Sequence, residues 1–133
     1  MIKNVAWIIA VLMIELFNAC KPSISADELY GKWKYTKVTQ PNAHPPDSVR
    51  SDDLALQSPS IQFSKNNTLE IIWGGKVLSH GKFTLDGRNI RYTETLEDGT
   101  TRQFPFWVSE LTDKDIVFET KGEDGSRVTA VKE

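Results

Sequence analysis

Residues 68–95 read TLEIIWGGKVLSHGKFTLDGRNIRYTET, a stretch in which three runs of alternating apolar and polar residues follow one another. Alternation at a period of two is typical of half-buried strands, not of helices. The pairs Gly74-Gly75 and Asp86-Gly87 separate the runs, and glycine accepts the positive φ that two-residue hairpin turns require. The stretch therefore predicts three consecutive antiparallel strands joined by tight turns.

The same pattern continues on both sides and predicts eight strands, at residues 32–38, 60–64, 68–73, 76–85, 88–95, 101–108, 115–120 and 127–132. A single helical turn is predicted before them, at residues 27–30. Eight strands joined in sequence can close into a barrel that leaves no exposed edge. We therefore expect an all-β fold, an eight-stranded antiparallel up-and-down barrel.

One face of the predicted strands carries most of the apolar side chains. Val77 lies on that face, and so do nine aromatic residues: Trp33, Tyr35, Phe63, Trp73, Phe83, Tyr92, Phe104, Phe106 and Phe118. An aromatic side chain buries about 150–250 Å², so nine of them predict a mostly filled interior with only a shallow site at one end. Trp107 breaks the pattern and is expected to be exposed.

The composition is that of one soluble domain. The chain has 133 residues, 39% of them hydrophobic and 26% charged, with a net charge of −2. A length of about 100–200 residues corresponds to one domain. The negative charge argues against a nucleic-acid partner, which requires a basic surface. The single cysteine excludes an internal disulfide and a cysteine-rich zinc site.

The first twenty residues differ from the rest of the chain. Lys3 precedes ten consecutive apolar residues, a length typical of a signal-peptide core and too short to span a bilayer. Cys20 follows the residues LFNA, which resemble a bacterial lipobox. That resemblance implies a signal peptide at residues 1–19, a lipid anchor on Cys20 and a lipidated tether at residues 20–28, in which the stretch from Lys21 to Ala26 is polar. Lys21 after the cysteine favours the outer membrane. A plain secretory signal, or an uncleaved anchor with Cys20 as a bystander, is the alternative.

Gly31-Lys32-Trp33 at the start of the first strand, followed by the meander, resembles the lipocalin-like domain of small bacterial lipoproteins. The resemblance covers residues 29–133. It implies that Trp33 closes one barrel end and that Thr112-Asp113 is a half match to a family loop motif, with Lys114 in place of tyrosine. The family places an arginine against the tryptophan, and here only Lys132 is expected near Trp33.

In that topology the opposite end is the mouth. It is formed by the long segment at residues 39–59 and by the turns that follow the third, fifth and seventh predicted strands. A structureless segment of this length is often a lid or a binding loop. We interpret it as such a loop, with a disordered insertion of no function as the alternative. Within it, Asp47-Ser48-Val49 resembles a three-residue acceptor for O-glycosylation, which makes Ser48 a candidate site.

The sequence does not predict an enzyme or a cofactor. His44 and His80 do not form a known metal-binding motif with neighbouring carboxylates. Neither a Gly-x-Ser-x-Gly motif nor a phosphate-binding loop is found in the sequence. No catalytic residue is therefore assigned. The chain is expected to be a monomer.

Two functions are open at this point. The first is an outer-membrane-anchored lipoprotein that binds a small hydrophobic or amphipathic ligand at the mouth through Lys37, Trp73, Tyr35 and Phe106. Lys37 has the interior parity of its strand and could pair with a ligand carboxylate, although a strand-end lysine more often points into water. The second is an envelope protein-interaction or inhibitor module with a filled barrel and no small-molecule ligand.

Overall fold

The computed structural model describes residues 23–122 and 125–133, so Cys20 and the signal peptide predicted at residues 1–19 lie outside the described residues. The described residues form two short helices, α1 (Ala26–Leu29) and α2 (Ser51–Gln57). The strands are β1 (Gly31–Gln40), β2 (Asp47–Ser48), β3 (Ser60–Ser64), β4 (Thr68–Trp73), β5 (Lys76–Asp86), β6 (Asn89–Thr95), β7 (Thr101–Leu111), β8 (Asp115–Glu119) and β9 (Arg127–Lys132). The eight predicted strands are confirmed, and β2 is an addition to them.

The sheet closes on itself. The strand order is β2-β1-β3-β4-β5-β6-β7-β8-β9, and β1 also pairs with β9, for example through Tyr35 opposite Ala130 and Val38 opposite Val128. Every pairing is antiparallel. The fold is therefore the expected all-β barrel of eight antiparallel strands, with β2 added beside the mouth end of β1.

Trp33 lies at the end of the barrel that α1 and the β3–β4, β5–β6 and β7–β8 turns share, which we call the closed end. The indole is fully buried, and its Nε1 donates a hydrogen bond to the Leu29 carbonyl at 2.8 Å. Lys132 Nζ lies 5.2 Å from the centroid of the indole ring. The prediction that Lys132 lies near Trp33 is confirmed.

The segment before β1 packs against the barrel. Ile24 and Leu29 are buried, and the Ile24 amide donates to the Gly87 carbonyl of the β5–β6 turn at 3.0 Å. The segment predicted as a tether, residues 20–28, therefore packs on the barrel from Ile24 onward, and its role as a tether stays a prediction. Two apolar side chains in an otherwise polar run are sufficient to anchor the segment, because each transfers its surface from water into the core.

The long segment at the mouth is folded, so the alternative of a disordered insertion is wrong. β2 extends a hairpin from β1, and the Val49 amide donates to the Val38 carbonyl at 2.9 Å. α2 then buries Leu54 in the core. Its last residue, Gln57, accepts a hydrogen bond from the Gly74 amide at 2.8 Å. The segment therefore runs across the mouth from β1 to the β4–β5 turn.

Two β-bulges reverse the expected directions of two side chains. In β1, the register against β9 shifts between Tyr35 and Lys37, so Val38 is buried and Lys37 is exposed. In β5, the register shifts so that Leu78 has no partner, and Val77 is exposed. A bulge adds one residue to one strand and breaks its alternation. The predictions that Lys37 and Val77 face the interior are therefore wrong.

No helix among residues 23–122 and 125–133 combines the length and the apolar character needed to cross a membrane.

Candidate functional site

Aromatic side chains line the inner wall in the mouth half of the barrel and contact one another. Tyr35 makes edge-to-face contacts with Trp73 and Phe118, at centroid distances of 6.5 Å and 6.1 Å. Phe118 contacts Phe106 at 5.4 Å, and Phe106 stacks on Tyr92 at 5.7 Å. These rings come from five different strands of the barrel. Tyr35, Tyr92, Phe106 and Phe118 are at most 6% exposed, which agrees with the mostly filled interior that the aromatic content predicts.

A group of polar side chains lies beside these rings, and we call it the mouth polar cluster: Ser79, Tyr92, Glu94 and Arg102. The Ser79 and Tyr92 hydroxyls are 2.7 Å apart. Ser79 also donates to one carboxylate oxygen of Glu94, and Arg102 Nε donates to the other at 2.5 Å. Ser79 and Glu94 are buried, whereas 62% of the Arg102 side chain is exposed. The cluster therefore connects the interior to solvent at the mouth.

The cluster keeps Glu94 ionised. Burial alone raises the pKa of the Glu94 carboxyl, but the hydrogen bonds from Ser79 and Arg102 and the positive charge of Arg102 outweigh it, so the pKa is below its usual value. Burial also raises the pKa of Tyr92, against the effect of the Ser79 hydrogen bond. Burial, and to a smaller extent the neighbouring Tyr92, also raises the pKa of the Tyr35 hydroxyl above its usual value. The cluster thus consists of one anion, one cation and neutral hydroxyls.

We expect the stability of the protein to depend on pH through Glu94. Its pKa is lower in the folded state than in the unfolded state, where it is about 4.3. The stabilisation is therefore complete above that value and is lost as the pH falls through the folded pKa. Urea unfolding between pH 7 and pH 3 should show that the stability advantage of the native protein over Glu94→Gln shrinks as the pH falls.

The exposed residue Glu97, for which the structure gives no hydrogen bond, supplies the matched control. At pH 7, Glu97→Gln should lower the free energy of unfolding by less than Glu94→Gln does, because it removes no side-chain hydrogen bond of the kind that Glu94 makes. A gap for Glu94→Gln that does not change between pH 7 and pH 3 would contradict the prediction.

The structure separates the residues predicted to bind a ligand. Tyr35 and Phe106 are core residues, 6% and 5% exposed, and Trp73 is half-buried against Tyr35. Lys37 lies on the outer surface, in a shallow cleft that Arg127 and Ser48 also line. The β1 bulge therefore removes Lys37 from the other three, and it cannot pair with a ligand held among them.

Sequence analysis missed Ser79, Glu94 and Arg102. Ser79 has the same parity as Phe83 in β5, and Glu94 has the same parity as Tyr92 in β6. Strict application of the alternation would therefore have placed both polar side chains in the interior. The guanidinium of Arg102 also lies over the Phe104 ring, 5.5 Å from its centroid.

Exposed apolar side chains surround the mouth, and we call them the apolar rim: Leu56, Val77, Leu78 and Leu96. Their exposed fractions are 79%, 53%, 68% and 36%. Leu56 is in α2, Val77 and Leu78 begin β5, and Leu96 directly follows β6. Trp107, which is exposed as predicted, is in β7 opposite Asn89 and is not part of the rim.

The remaining predicted residues have simple surroundings. Ser48 is exposed on the short strand β2, where its hydroxyl is accessible. Thr112 and Asp113 form the β7–β8 turn, in which Thr112 Oγ1 accepts hydrogen bonds from the Lys114 and Asp115 amides. Gly31 has a φ of 125°, and a Cβ added there would lie 2.9 Å from Lys132 Cε. Glycosylation of Ser48 stays a prediction.

Within residues 23–122 and 125–133, no group of three or more His, Cys, Asp or Glu side chains is arranged to hold a metal ion. The chain matches no family model, and a search of curated proteins returns no significant similarity.

Proposed function

We propose that this protein is an outer-membrane lipoprotein, anchored through Cys20, whose barrel binds another envelope protein at the mouth. The observation that carries the proposal is the burial of Tyr35, Phe106 and Phe118 on the inner wall, where they contact one another and are only 6%, 5% and 3% exposed. Drug-sized ligands bind in cavities of about 300–1,000 Å³. Inward-facing rings that are almost inaccessible to solvent leave little room beside them for an acyl chain, so the second of the two functions open at the sequence level is favoured over the first.

The apolar rim supports a protein partner. Scattered apolar side chains are normal on a surface, but a group at one end of a molecule is typical of an interaction site. Burying a leucine contributes about 1.5–3 kcal/mol. Arg102 adds an exposed cation beside the rim, and arginine is enriched at protein interfaces. The mouth therefore offers an apolar contact surface with the Arg102 cation beside it.

Binding of a small amphipathic ligand at the mouth is the second candidate, and Arg102 favours it. The carboxylate of such a ligand could replace Glu94 as the partner of Arg102, while an apolar tail lies against Phe104. Tryptophan fluorescence during titration with fatty acids, bile salts and haem distinguishes the two candidates. We expect no saturable change. A saturable change that is absent in Arg102→Gln would favour the small ligand instead.

Site-specific photocrosslinking in intact cells tests the protein partner. A photoreactive phenylalanine analogue at Leu78 or Leu96 should give a crosslinked protein of one defined mass. The same analogue at Trp107, which is exposed but distant from the rim, should not give that product. Crosslinking at Trp107 but at neither rim position, or no protein adduct at any position, would contradict the proposal.

We expect the native protein to begin at Cys20 and to carry acyl chains there. Several acyl chains bury enough CH₂ groups, at about 0.8 kcal/mol each, to give lasting membrane attachment. Intact-mass analysis of the protein purified from membranes should give the mass of residues 20–133 plus the lipid. For Cys20→Ala, no lipidated protein should be found in the membrane fraction. An unmodified Cys20 in a chain that retains residues 1–19 would contradict the anchor.

A further inference from the structure

A cleft of about 470 Å³ lies at the closed end, outside the barrel interior. Its walls come from the segment before α1, from α1 itself, from the β5–β6 and β7–β8 turns and from the end of β9. Ile24 and Leu111 supply apolar surface. The charged residues of the lining are three acids, Asp27, Glu28 and Asp113, and two bases, Arg88 and Lys132. The volume is within the range of about 300–1,000 Å³ that is usual for small-molecule sites.

The walls of the cleft are held in place by backbone hydrogen bonds. The Ile24 amide donates to the Gly87 carbonyl at 3.0 Å, which holds the segment before α1 on the β5–β6 turn. Arg88 Nε donates to the Val108 carbonyl at 2.8 Å. The Lys132 amide donates to the Lys114 carbonyl at 2.8 Å, which joins β9 to the β7–β8 turn. These hydrogen bonds therefore fix the backbone from which the charged side chains of the cleft extend.

The chain enters the structure at this cleft. Ser23 lines it and is three residues from Cys20, a distance that an extended chain covers in at most about 11 Å. The headgroup layer on each side of a bilayer is about 5–8 Å thick. A lipid on Cys20 therefore holds the closed end, and not the mouth, against the headgroups of the membrane in which it is inserted.

We propose that the closed-end cleft binds the zwitterionic headgroup of a phosphoethanolamine lipid in the anchoring membrane. Lys132 provides positive charge for the phosphate, and Asp27 and Asp113 provide carboxylates for the ammonium group. Hydrogen bonds between charged partners are about twice as strong as those between neutral ones. Ile24 and Leu111 contact the glycerol end of the lipid. The orientation, but not the binding chemistry, rests on the proposed lipidation of Cys20.

NMR titration of the full-length protein in neutral detergent micelles with glycerophosphoethanolamine tests the binding chemistry. We expect saturable shifts of the amides that line the cleft, among them Asp27, Asp113 and Lys132. Inorganic phosphate alone and ethanolamine alone should bind at least about tenfold more weakly, since each loses one of the two charged contacts. Asp113→Asn should weaken binding of the headgroup by about tenfold, whereas Glu97→Gln, the same change at the mouth, should leave it unchanged.

The absence of saturable shifts, equal shifts with inorganic phosphate alone, or equal binding by Asp113→Asn and the native protein would overturn the proposal. The titration does not need an acylated cysteine, so its failure is distinct from a failure of the anchor, which intact mass reports.

Fluorescence quenching tests the orientation of the acylated protein in phosphatidylethanolamine vesicles that carry nitroxides on their headgroups. A dye on Lys114→Cys, at the closed end, should be quenched, and a dye on Glu97→Cys, at the mouth, should not. The reverse pattern would overturn the orientation.

Discussion

Trp33→Ala is expected to lower the free energy of unfolding by about 4 kcal/mol, within the usual 3–5 kcal/mol for removal of a buried tryptophan. Trp33 is fully buried at the closed end. The substitution leaves a cavity beneath α1, removes the hydrogen bond to the Leu29 carbonyl and deprives Lys132 of the ring below it. Equilibrium urea unfolding followed by far-ultraviolet circular dichroism measures the loss.

Trp33→Phe is the matched control. It retains an aromatic ring but removes the indole N–H, so the expected loss is about 1–2 kcal/mol, the value of a hydrogen bond and some packing. Equal losses for the two variants would mean that the hydrogen bond matters and the filling of the closed end does not. A loss below about 1 kcal/mol for Trp33→Ala would contradict the placement of Trp33 in the core.

Gly81→Ala is expected to lower the free energy of unfolding by about 3 kcal/mol, at the upper end of the usual cost of overpacking. Gly81 is opposite Glu94 in the β5–β6 pairing. A Cβ at Gly81 would lie 2.0 Å from the Thr93 carbonyl oxygen, and the backbone at this position cannot move aside as a side chain could. The two strands must separate, which also disturbs the mouth polar cluster.

Gly99→Ala separates this steric effect from the general cost of replacing glycine. Gly99 is in the β6–β7 turn with a φ of 85°, and a Cβ there would meet nothing within 4 Å. Its expected cost is about 1 kcal/mol, the penalty for a left-handed backbone conformation. Urea unfolding in which Gly81→Ala loses no more than Gly99→Ala would contradict the close approach of β5 and β6.

The strands were predictable from the sequence because two local signals coincide in them. Alternation marks the half-buried strands, and the turn glycines mark their ends. Gly74, Gly75 and Gly87 all have positive φ, which is the property that the hairpin prediction requires. Closure between β1 and β9 was predictable from the number of strands alone, because an open eight-stranded meander would leave unpaired backbone groups on its two edge strands.

The candidate site was less predictable because β-bulges have no clear signal in composition. The bulges after Tyr35 and at Leu78 each insert a residue in the mouth half of the barrel, and they reverse the directions of Lys37 and Val77. The buried Glu94 was missed for another reason. A charged residue is normally assigned to the solvent, and only its hydrogen bonds with Ser79 and Arg102 make the buried position acceptable.

The long mouth segment shows a third limit. Its helix α2 spans Ser51–Gln57, which is too short for a clear helical periodicity. Its position depends on burial of Leu54 and on the hydrogen bond between Gln57 and Gly74, which are contacts with distant strands. Tertiary contacts of this kind are not visible in a local pattern.

A crystal structure of the protein grown with excess dodecanoate tests the filled interior most directly. We predict that Tyr35, Phe106 and Phe118 keep their edge-to-face contacts and that no electron density for an acyl chain lies between them. Continuous density for dodecanoate inside the barrel, with these rings moved apart, would contradict the account.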